Sequence, residues 1–254
     1  MAVYWSSGKY ATLHGWQLDK GLVGIEYAQP MKPGHKYRVY THLEGFPEYH
    51  YMIDLDPDLN WFPLQHGNGR YTVKVLEESS PGTNKYYTRS TGWVDVDMAE
   101  PLDVFLASNF YMEWDRDMPC IQAADSLCAG LPSDAAKAEA LWGVIVKDYV
   151  YDYELAANVK YNYTPSLMGI YISRKGICFG LTSLYNSQLR SQGIRAKMLH
   201  GIVNAYGAYH AWSEVMLDGE WRHVDITNDT GEKGRRGFLS GIFGPEEYTV
   251  RFVY

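Results

Sequence analysis

The spacing of apolar residues changes along this chain, and the change falls between residues 105 and 119. Before it, short segments such as residues 37–43 alternate apolar and polar side chains, and turns rich in Pro, Gly and Asn separate them. After it, residues 135–149 repeat apolar side chains at three- and four-residue spacing. Alternation is typical of β-strands, and the longer repeat is typical of α-helices. We therefore expect an α+β protein in which a small antiparallel β-sandwich precedes a domain of helices and antiparallel strands.

Two domains fit this pattern, one over residues 1–112 and one over residues 113–254. In the first we expect an immunoglobulin-like sandwich with strands at residues 22–27, 37–43, 49–55, 70–76, 86–88 and 93–97. In the second we expect helices at residues 120–128 and 135–149, a loop at 158–173, a helix that starts at residue 178, and strands at 197–203, 210–217, 221–226 and 248–253.

Composition excludes several classes of protein. Apolar residues make up 46% and charged residues 21%, so a packed core is expected rather than disorder. The net charge is −7 and the basic residues are scattered, so we expect no nucleic-acid partner. No apolar run approaches the roughly 20 residues of a membrane span. Residues 1–9 lack the features of a signal peptide, which indicates a cytoplasmic protein, or a secreted or cell-surface one if a signal was removed. The oligomeric state is left open.

Aromatic residues make up 15% of the chain, with 22 tyrosines and 8 tryptophans. Half-buried tyrosines in a β-rich structure account for such a content. An aromatic-lined groove for a peptide or a glycan is the alternative.

The three cysteines are too few for a disulfide framework. Cys120 and Cys128 lie eight positions apart in an expected helix. That spacing is roughly 12 Å of rise, too far for a disulfide. Both are expected to be reduced packing residues, which leaves Cys178 as the reactive thiol.

The sequence around Cys178 is typical of a nucleophile at the start of a helix. Gly176 precedes it, and an apolar stripe that begins with Leu181 and Leu184 follows, up to a glycine at Gly193. A thiol becomes a nucleophile as its thiolate, which a helix N-terminus and a neighbouring imidazolium both stabilise. Unpaired backbone N–H groups in the first turn would also stabilise an oxyanion. The alternative is a small apolar residue packed at a helix start.

His210 and Asp225 follow on two expected strands. Alternation places His210, Trp212 and Glu214 on one face, and Asp218-Gly219 predicts a hairpin turn. The hairpin brings Asp225 close to His210, where a carboxylate can hold an imidazole in one orientation. Each residue has an alternative role, as a structural histidine or as an aspartate that caps a turn. A metal site built from Cys178, His210 and His223 matches no standard zinc spacing.

Together these segments resemble the transglutaminase-like superfamily of papain-like cysteine enzymes. The resemblance covers residues 131–227 and is carried by the sequences at 176–178, 190–196, 210–215 and 221–227. It implies a helix that carries the nucleophile packed on an antiparallel sheet, with Cys178 as nucleophile, His210 as general base and acid, and Asp225 as the group that orients the imidazole. The β-rich first part is similar to the accessory domain of bacterial members. Gly180 departs from the family pattern, in which an acidic residue often lies two positions after the cysteine.

The resemblance implies acyl transfer through a thioester on a peptide, protein or carboxamide substrate. Hydrolysis, as in a protease or amidase, is favoured slightly over cross-linking to an amine, and no cofactor or metal is expected. An inactive binding or scaffold module of the same fold is the alternative. Tyr163, Tyr209 and Trp212 are predicted to contact the substrate. Candidates for a second oxyanion donor are Tyr161, Asn162, Tyr163 and Tyr171.

Overall fold

A computed structural model of the chain describes residues 2–7, 10–28, 31–53, 59–160 and 162–254, the first of these segments by its backbone alone. The chain forms two compact units. One comprises residues 1–110 with residues 160–163, and the other comprises residues 111–159 with residues 164–254.

The first unit consists of two antiparallel sheets. Its strands are β1 (Ala2–Ser7), β2 (Ala11–His14), β3 (Leu22–Tyr27), β4 (Tyr37–Leu43), β5 (Tyr49–Ile53), β6 (Asn60–Pro63), β7 (Gly69–Glu78) and β8 (Tyr86–Val96). One sheet has the order β1-β8-β7-β4-β5 and the other the order β2-β3-β6. Short 3₁₀ helices lie at Leu18–Lys20 and Pro101–Leu106.

Side chains from the two sheets meet in a shared apolar core. The ring of Tyr51 on β5 lies 5.1 Å from that of Phe62 on β6, and Tyr27 on β3 lies 5.5 Å from Tyr37 on β4. Alternate residues along β4 and β7 are fully buried, as alternation predicts for strands with one face on a core. The expected β-sandwich is confirmed.

Some predicted strands differ from those in the structure. β8 is one strand where residues 86–88 and 93–97 were predicted as two. β1, β2 and β6 were not predicted. The prediction of a strand at 49–55 is met at Tyr49–Ile53, and its last two residues lie outside the described part of the chain.

The second unit packs six helices with a four-stranded antiparallel sheet. The helices are α1 (Pro119–Cys128), α2 (Asp134–Asp148), α3 (Tyr153–Asn158), α4 (Leu167–Ser173), α5 (Cys178–Ser191) and α6 (Ile226–Gly231). The strands are β9 (Val150–Tyr151), β10 (Lys175–Gly176), β11 (Ala196–Val203), β12 (Ala208–Leu217), β13 (Glu220–Val224) and β14 (Tyr248–Val253), and a 3₁₀ helix at Pro245–Glu247 precedes the last strand. The sheet order is β13-β12-β11-β14, and β9 and β10 form a separate parallel pair.

Helix α5 is the central element of this unit. Every residue from 180 to 191 is buried, so the helix is covered on all sides rather than along one stripe. Its polar residues are held by neighbouring elements: the Thr182 hydroxyl donates to the Ala211 carbonyl, and the Ser213 hydroxyl donates to the Asn186 side chain. At its end, Arg190 donates to the carbonyls of Ala196 and Tyr254. These bonds fix α5, and therefore its first residue, against the sheet.

The elements that flank α5 follow the predicted sequence signals, with two differences. Ser133 caps α2 through its hydroxyl, and Asp218 and Gly219 both have positive φ in the turn between β12 and β13. The predicted loop at 158–173 contains α4, and the predicted strand at 221–226 ends at Val224, because the next residue begins a helix. The α+β fold with a helix on an antiparallel sheet is confirmed.

Candidate active site

Cys178 is the first residue of α5, where the sequence predicted it. The first helical hydrogen bond joins the Leu181 N–H to the Ile177 carbonyl, so the N–H groups of the preceding turn have no partner within the helix. A side chain at Gly176 would lie 3.2 Å from Leu181, so glycine allows the chain to enter the helix closely. Cys178 is partly exposed, in contrast to the other two cysteines.

His210 lies on β12 opposite Gly201 of β11. A side chain on Gly201 would come within 2.0 Å of the Thr249 carbonyl oxygen, so only glycine fits between the strands there. The imidazole is buried and hydrogen-bonded to Asp225, and it lies close enough to Cys178 for the thiol to raise its pKa. The structure therefore brings the three predicted catalytic residues together in the expected order.

Asp225 is the N-cap of α6 and accepts hydrogen bonds on both carboxylate oxygens. Oδ1 accepts from the backbone N–H groups of Thr227 (3.1 Å) and Asn228 (3.0 Å). Oδ2 lies 2.8 Å from His210 Nε2 and accepts from Asn228 Nδ2 (2.7 Å) and from the Tyr248 hydroxyl (2.8 Å). The residue thus has both of the roles considered from the sequence, as a cap and as the partner of the histidine.

The imidazole orientation follows from these contacts. Nε2 faces Asp225, which leaves Nδ1 as the ring nitrogen that can face the thiol of Cys178. A carboxylate at Nε2 fixes the ring and favours a proton on that nitrogen. Nδ1 is then available to take a proton from the thiol and to return it later.

Burial and charge have opposite effects on the pKa values of His210 and Asp225. Burial lowers the pKa of His210, but the hydrogen bonds and charges of Asp225 and Cys178 outweigh it and raise that pKa to about 10. Burial raises the pKa of Asp225, yet its bonds with His210, Asn228 and Tyr248 keep that pKa below the usual value of an aspartate. Both groups are therefore held in their charged forms at neutral pH.

Trp212 is 1% exposed, and its ring lies 4.8 Å from that of Tyr248 and stacks 6.3 Å from His210. It supports the histidine from within the fold, a position that does not favour its predicted contact with substrate. His223 lies 4.3 Å from Tyr248 and belongs to the same aromatic packing.

The other predicted contacts lie in different places. Tyr209 is exposed beside His210. Tyr163 belongs to the first unit, as does Asn162, and their roles stay predictions. Tyr171 packs under the Arg174 guanidinium at 4.7 Å, and Tyr161 lies outside the described residues.

Several residues at the site were missed by the sequence reasoning. Asn228 and Tyr248 hold the carboxylate, and only the first carried a signal, because Asp225 with Thr227 and Asn228 two and three positions later is typical of a capped helix start. Tyr151 pairs with Gly176 across β9 and β10, two residues before Cys178. Tyr206 lies in the turn between β11 and β12, and its ring lies 6.4 Å from that of His210.

Cys178 influences the pKa of three tyrosine hydroxyls in this unit. Burial, and after it the negative charge of the Cys178 thiolate, raises the pKa of Tyr151 to about 12. Burial and the same charge also raise the pKa of Tyr206 and of Tyr209. All three hydroxyls are therefore within electrostatic reach of the sulfur.

No metal site or membrane-spanning helix is found in the described part of the chain. Among those residues, no three or more His, Cys, Asp or Glu side chains are arranged to hold a metal ion. No described helix has both the length and the apolar character that crossing a membrane requires. Cys120 and Cys128 are buried and form no disulfide, and burial raises the pKa of both thiols.

A central helix headed by cysteine and packed on an antiparallel sheet defines the papain-like class of α+β folds. Within that class, residues 121–226 match the family model described as the transglutaminase-like superfamily. The match lies within the second unit of the chain and agrees with the sequence motifs.

Two solved structures were found to be similar to the chain. One is a "putative cysteine protease" from Cytophaga hutchinsonii, 15% identical, with a TM-score of 0.49 over 88% of this chain and 82% of that one. The other is a "putative protease" from Parabacteroides distasonis ATCC 8503, 12% identical, with a TM-score of 0.38 over 75% of this chain and 37% of that one. None of the curated proteins compared with the chain matches it.

Proposed function

We propose that this protein catalyses cysteine-dependent acyl transfer on peptide or carboxamide substrates. The observation that carries the proposal is the placement of Cys178 at the start of α5 within electrostatic reach of His210, which is itself hydrogen-bonded to Asp225. A nucleophile, a base within hydrogen-bond reach and a third group that orients the base form the arrangement that covalent catalysis requires.

In the first half-reaction the Cys178 thiolate attacks the carbonyl carbon of the substrate. A carbon–sulfur bond forms, and the carbonyl oxygen takes up the negative charge. The backbone N–H of Cys178, in the first turn of α5, can stabilise that oxygen. His210, protonated at Nδ1, donates its proton to the leaving amine as the carbon–nitrogen bond breaks, and a thioester remains.

In the second half-reaction an acceptor attacks the thioester. With water as acceptor, His210 takes one proton from it, a carboxylic acid is released, and the thiol is restored. A primary amine in place of water would give a new amide, as in a transglutaminase. We propose hydrolysis as the main reaction, in line with the expectation from the sequence.

Alkylation tests the nucleophile without knowledge of the substrate. Iodoacetamide should modify Cys178 in the folded protein well before Cys120 and Cys128, which are buried and serve as internal controls. Peptide mapping by mass spectrometry gives the three rates separately. Equal rates would contradict a catalytic cysteine and favour the alternative, a binding module that keeps the fold without the reaction.

Turnover tests the reaction itself. Libraries of peptides and carboxamides, assayed with and without an added primary amine, should yield free acid as the main product. Cys178→Ala should abolish product formation while the fold is kept, as judged by circular dichroism. Equal turnover by the wild-type protein and the variant would overturn the proposal, and an amide as the main product would replace hydrolysis by cross-linking.

A further inference from the structure

Three tyrosines lie within electrostatic reach of the thiol, a fourth packs against one of them, and three of the four rings are exposed. We call Tyr151, Tyr153, Tyr206 and Tyr209 the tyrosine rim. Tyr153 is 79% exposed, Tyr209 54% and Tyr206 48%. Because a large ring gains from burial, several exposed rings beside one partly exposed cysteine mark a surface that a ligand can cover.

Tyr151 and Tyr153 lie in β9 and α3, next to strand β10, which leads to Cys178. β9 pairs with β10, which places Tyr151 opposite Gly176. Tyr153 follows in α3, and its ring meets that of Tyr151 edge to face with 5.0 Å between centroids. An edge-to-face pair leaves the outer ring face of Tyr153 open to a third ring.

The other two members come from the hairpin of β11 and β12. Tyr206 lies 6.4 Å from the His210 ring and 6.0 Å from Phe243. Tyr209 precedes His210 on the strand and lies 5.9 Å from His200. These rings therefore flank the base as the first pair flanks the nucleophile.

Charge near three members of the tyrosine rim is sparse, whereas Tyr153 lies between Asp152 and Glu154 in the chain. Apart from Cys178 and Asp225, Arg251 is the one charged side chain among the described residues whose field acts on the hydroxyls of Tyr151, Tyr206 and Tyr209. The imidazole of His200 beside Tyr209 is buried and neutral at physiological pH, because burial lowers its pKa to about 3. A charged side chain of a substrate would find few partners there, whereas a neutral ring would find several ring faces.

We propose that the tyrosine rim selects acyl substrates with a planar, uncharged ring next to the carbonyl that Cys178 attacks. The proposal rests on the function proposed above. It adds a substrate class, namely peptides or carboxamides with an aromatic side chain or ring beside the scissile bond. An aromatic contact of this kind changes a rate about three- to tenfold.

Alkylating probes test this selection and the nucleophile separately. The second-order rate at Cys178 is measured for iodoacetamide, N-phenyliodoacetamide, N-cyclohexyliodoacetamide and iodoacetate, and each rate is divided by that of glutathione. We expect the phenyl probe to exceed iodoacetamide about three- to tenfold after this correction. The cyclohexyl and acetate probes should show no such gain.

Exposed members of the rim provide variants that fold. Tyr153→Ala combined with Tyr209→Ala should bring the corrected phenyl gain, taken relative to the variant's own iodoacetamide rate, to about one. Tyr87→Ala is the matched control, because Tyr87 is 56% exposed but lies in the first unit. Equal gains for the phenyl and cyclohexyl probes would overturn the proposal that the tyrosine rim selects planar rings. A phenyl gain that the double variant keeps would also overturn it. A slow reaction with iodoacetamide would instead count against the nucleophile.

Discussion

Two buried carboxylates, one in each unit, are stabilised in different ways. Glu77 on β7 lies 2.6 Å from Lys32 Nζ and 2.7 Å from Arg89 Nε, so its partners carry charges that persist across the physiological pH range. Asp225 has four neutral donors, and its one ionisable partner is His210. A carboxylate between fixed charges can only hold a structure, whereas one paired with an imidazole can respond when a proton moves.

The largest expected effect is on catalysis by Asp225→Asn. Asparagine is a good N-cap, so the bonds to the start of α6 are kept. The neutral amide no longer stabilises an imidazolium, so kcat/KM for an amide substrate should fall about 10²- to 10⁴-fold. Glu77→Gln is the matched control, and its kcat/KM should change less than about twofold. A similar loss in both variants would show that Asp225 acts through stability alone.

The free energy of unfolding should show the opposite ranking, with a larger loss in Glu77→Gln than in Asp225→Asn. Glu77→Gln leaves two cations around a neutral group, and breaking a buried ion pair costs about 3 kcal/mol. Urea unfolding at neutral pH, followed for each unit by hydrogen exchange, should place this loss in the first unit. If the first unit of Glu77→Gln is as stable as in the wild type, the contrast between the two carboxylates is wrong.

Much of this site could be predicted because its signals are local. The start of α5 follows from Gly176 and the apolar stripe, and the β12–β13 hairpin follows from Asp218-Gly219. Tyr248 could not be predicted, since it reaches Asp225 only after a loop of irregular structure and no spacing relates the two.

Local signals were also insufficient at two points. The Asn-, Tyr- and Pro-rich segment contains α4, which Ser166 caps through its hydroxyl, but its neighbours favour a loop. Trp212 was predicted to touch substrate because alternation places it beside His210, and alternation does not show that Tyr248 from β14 covers that face. Coverage by a distant strand is a property of the tertiary structure.

The dependence of stability on pH should also distinguish Asp225 from Glu77. The pKa of both is lowered in the fold, so their stabilisation is present above about pH 4 and is lost as the pH falls further. The pKa of His210 is raised to about 10, so its contribution is complete below about pH 6.5 and is lost as the pH rises toward 10.

Asp225→Asn should therefore flatten the loss of stability between pH 6.5 and 10, whereas Glu77→Gln should leave that loss as in the wild type. Thermal unfolding across this range measures both. An alkaline loss that is unchanged in Asp225→Asn would mean that the imidazole and the carboxylate are not coupled.

The smallest expected effect is that of Tyr248→Phe, which removes one donor from Asp225 Oδ2 and leaves four. With one bond fewer, the carboxylate holds the imidazolium less firmly, so the pKa of His210 should fall slightly and kcat should decrease about threefold. NMR titration of the imidazole and the pH profile of kcat/KM measure the two changes.

Tyr71→Phe is the matched control, because the buried Tyr71 hydroxyl donates to the carbonyls of Leu64 and Gly67 in the first unit. That variant should lose about 1 kcal/mol of stability with an unchanged pH profile. If Tyr248→Phe likewise loses only stability, its hydroxyl contributes to packing and does not position the carboxylate.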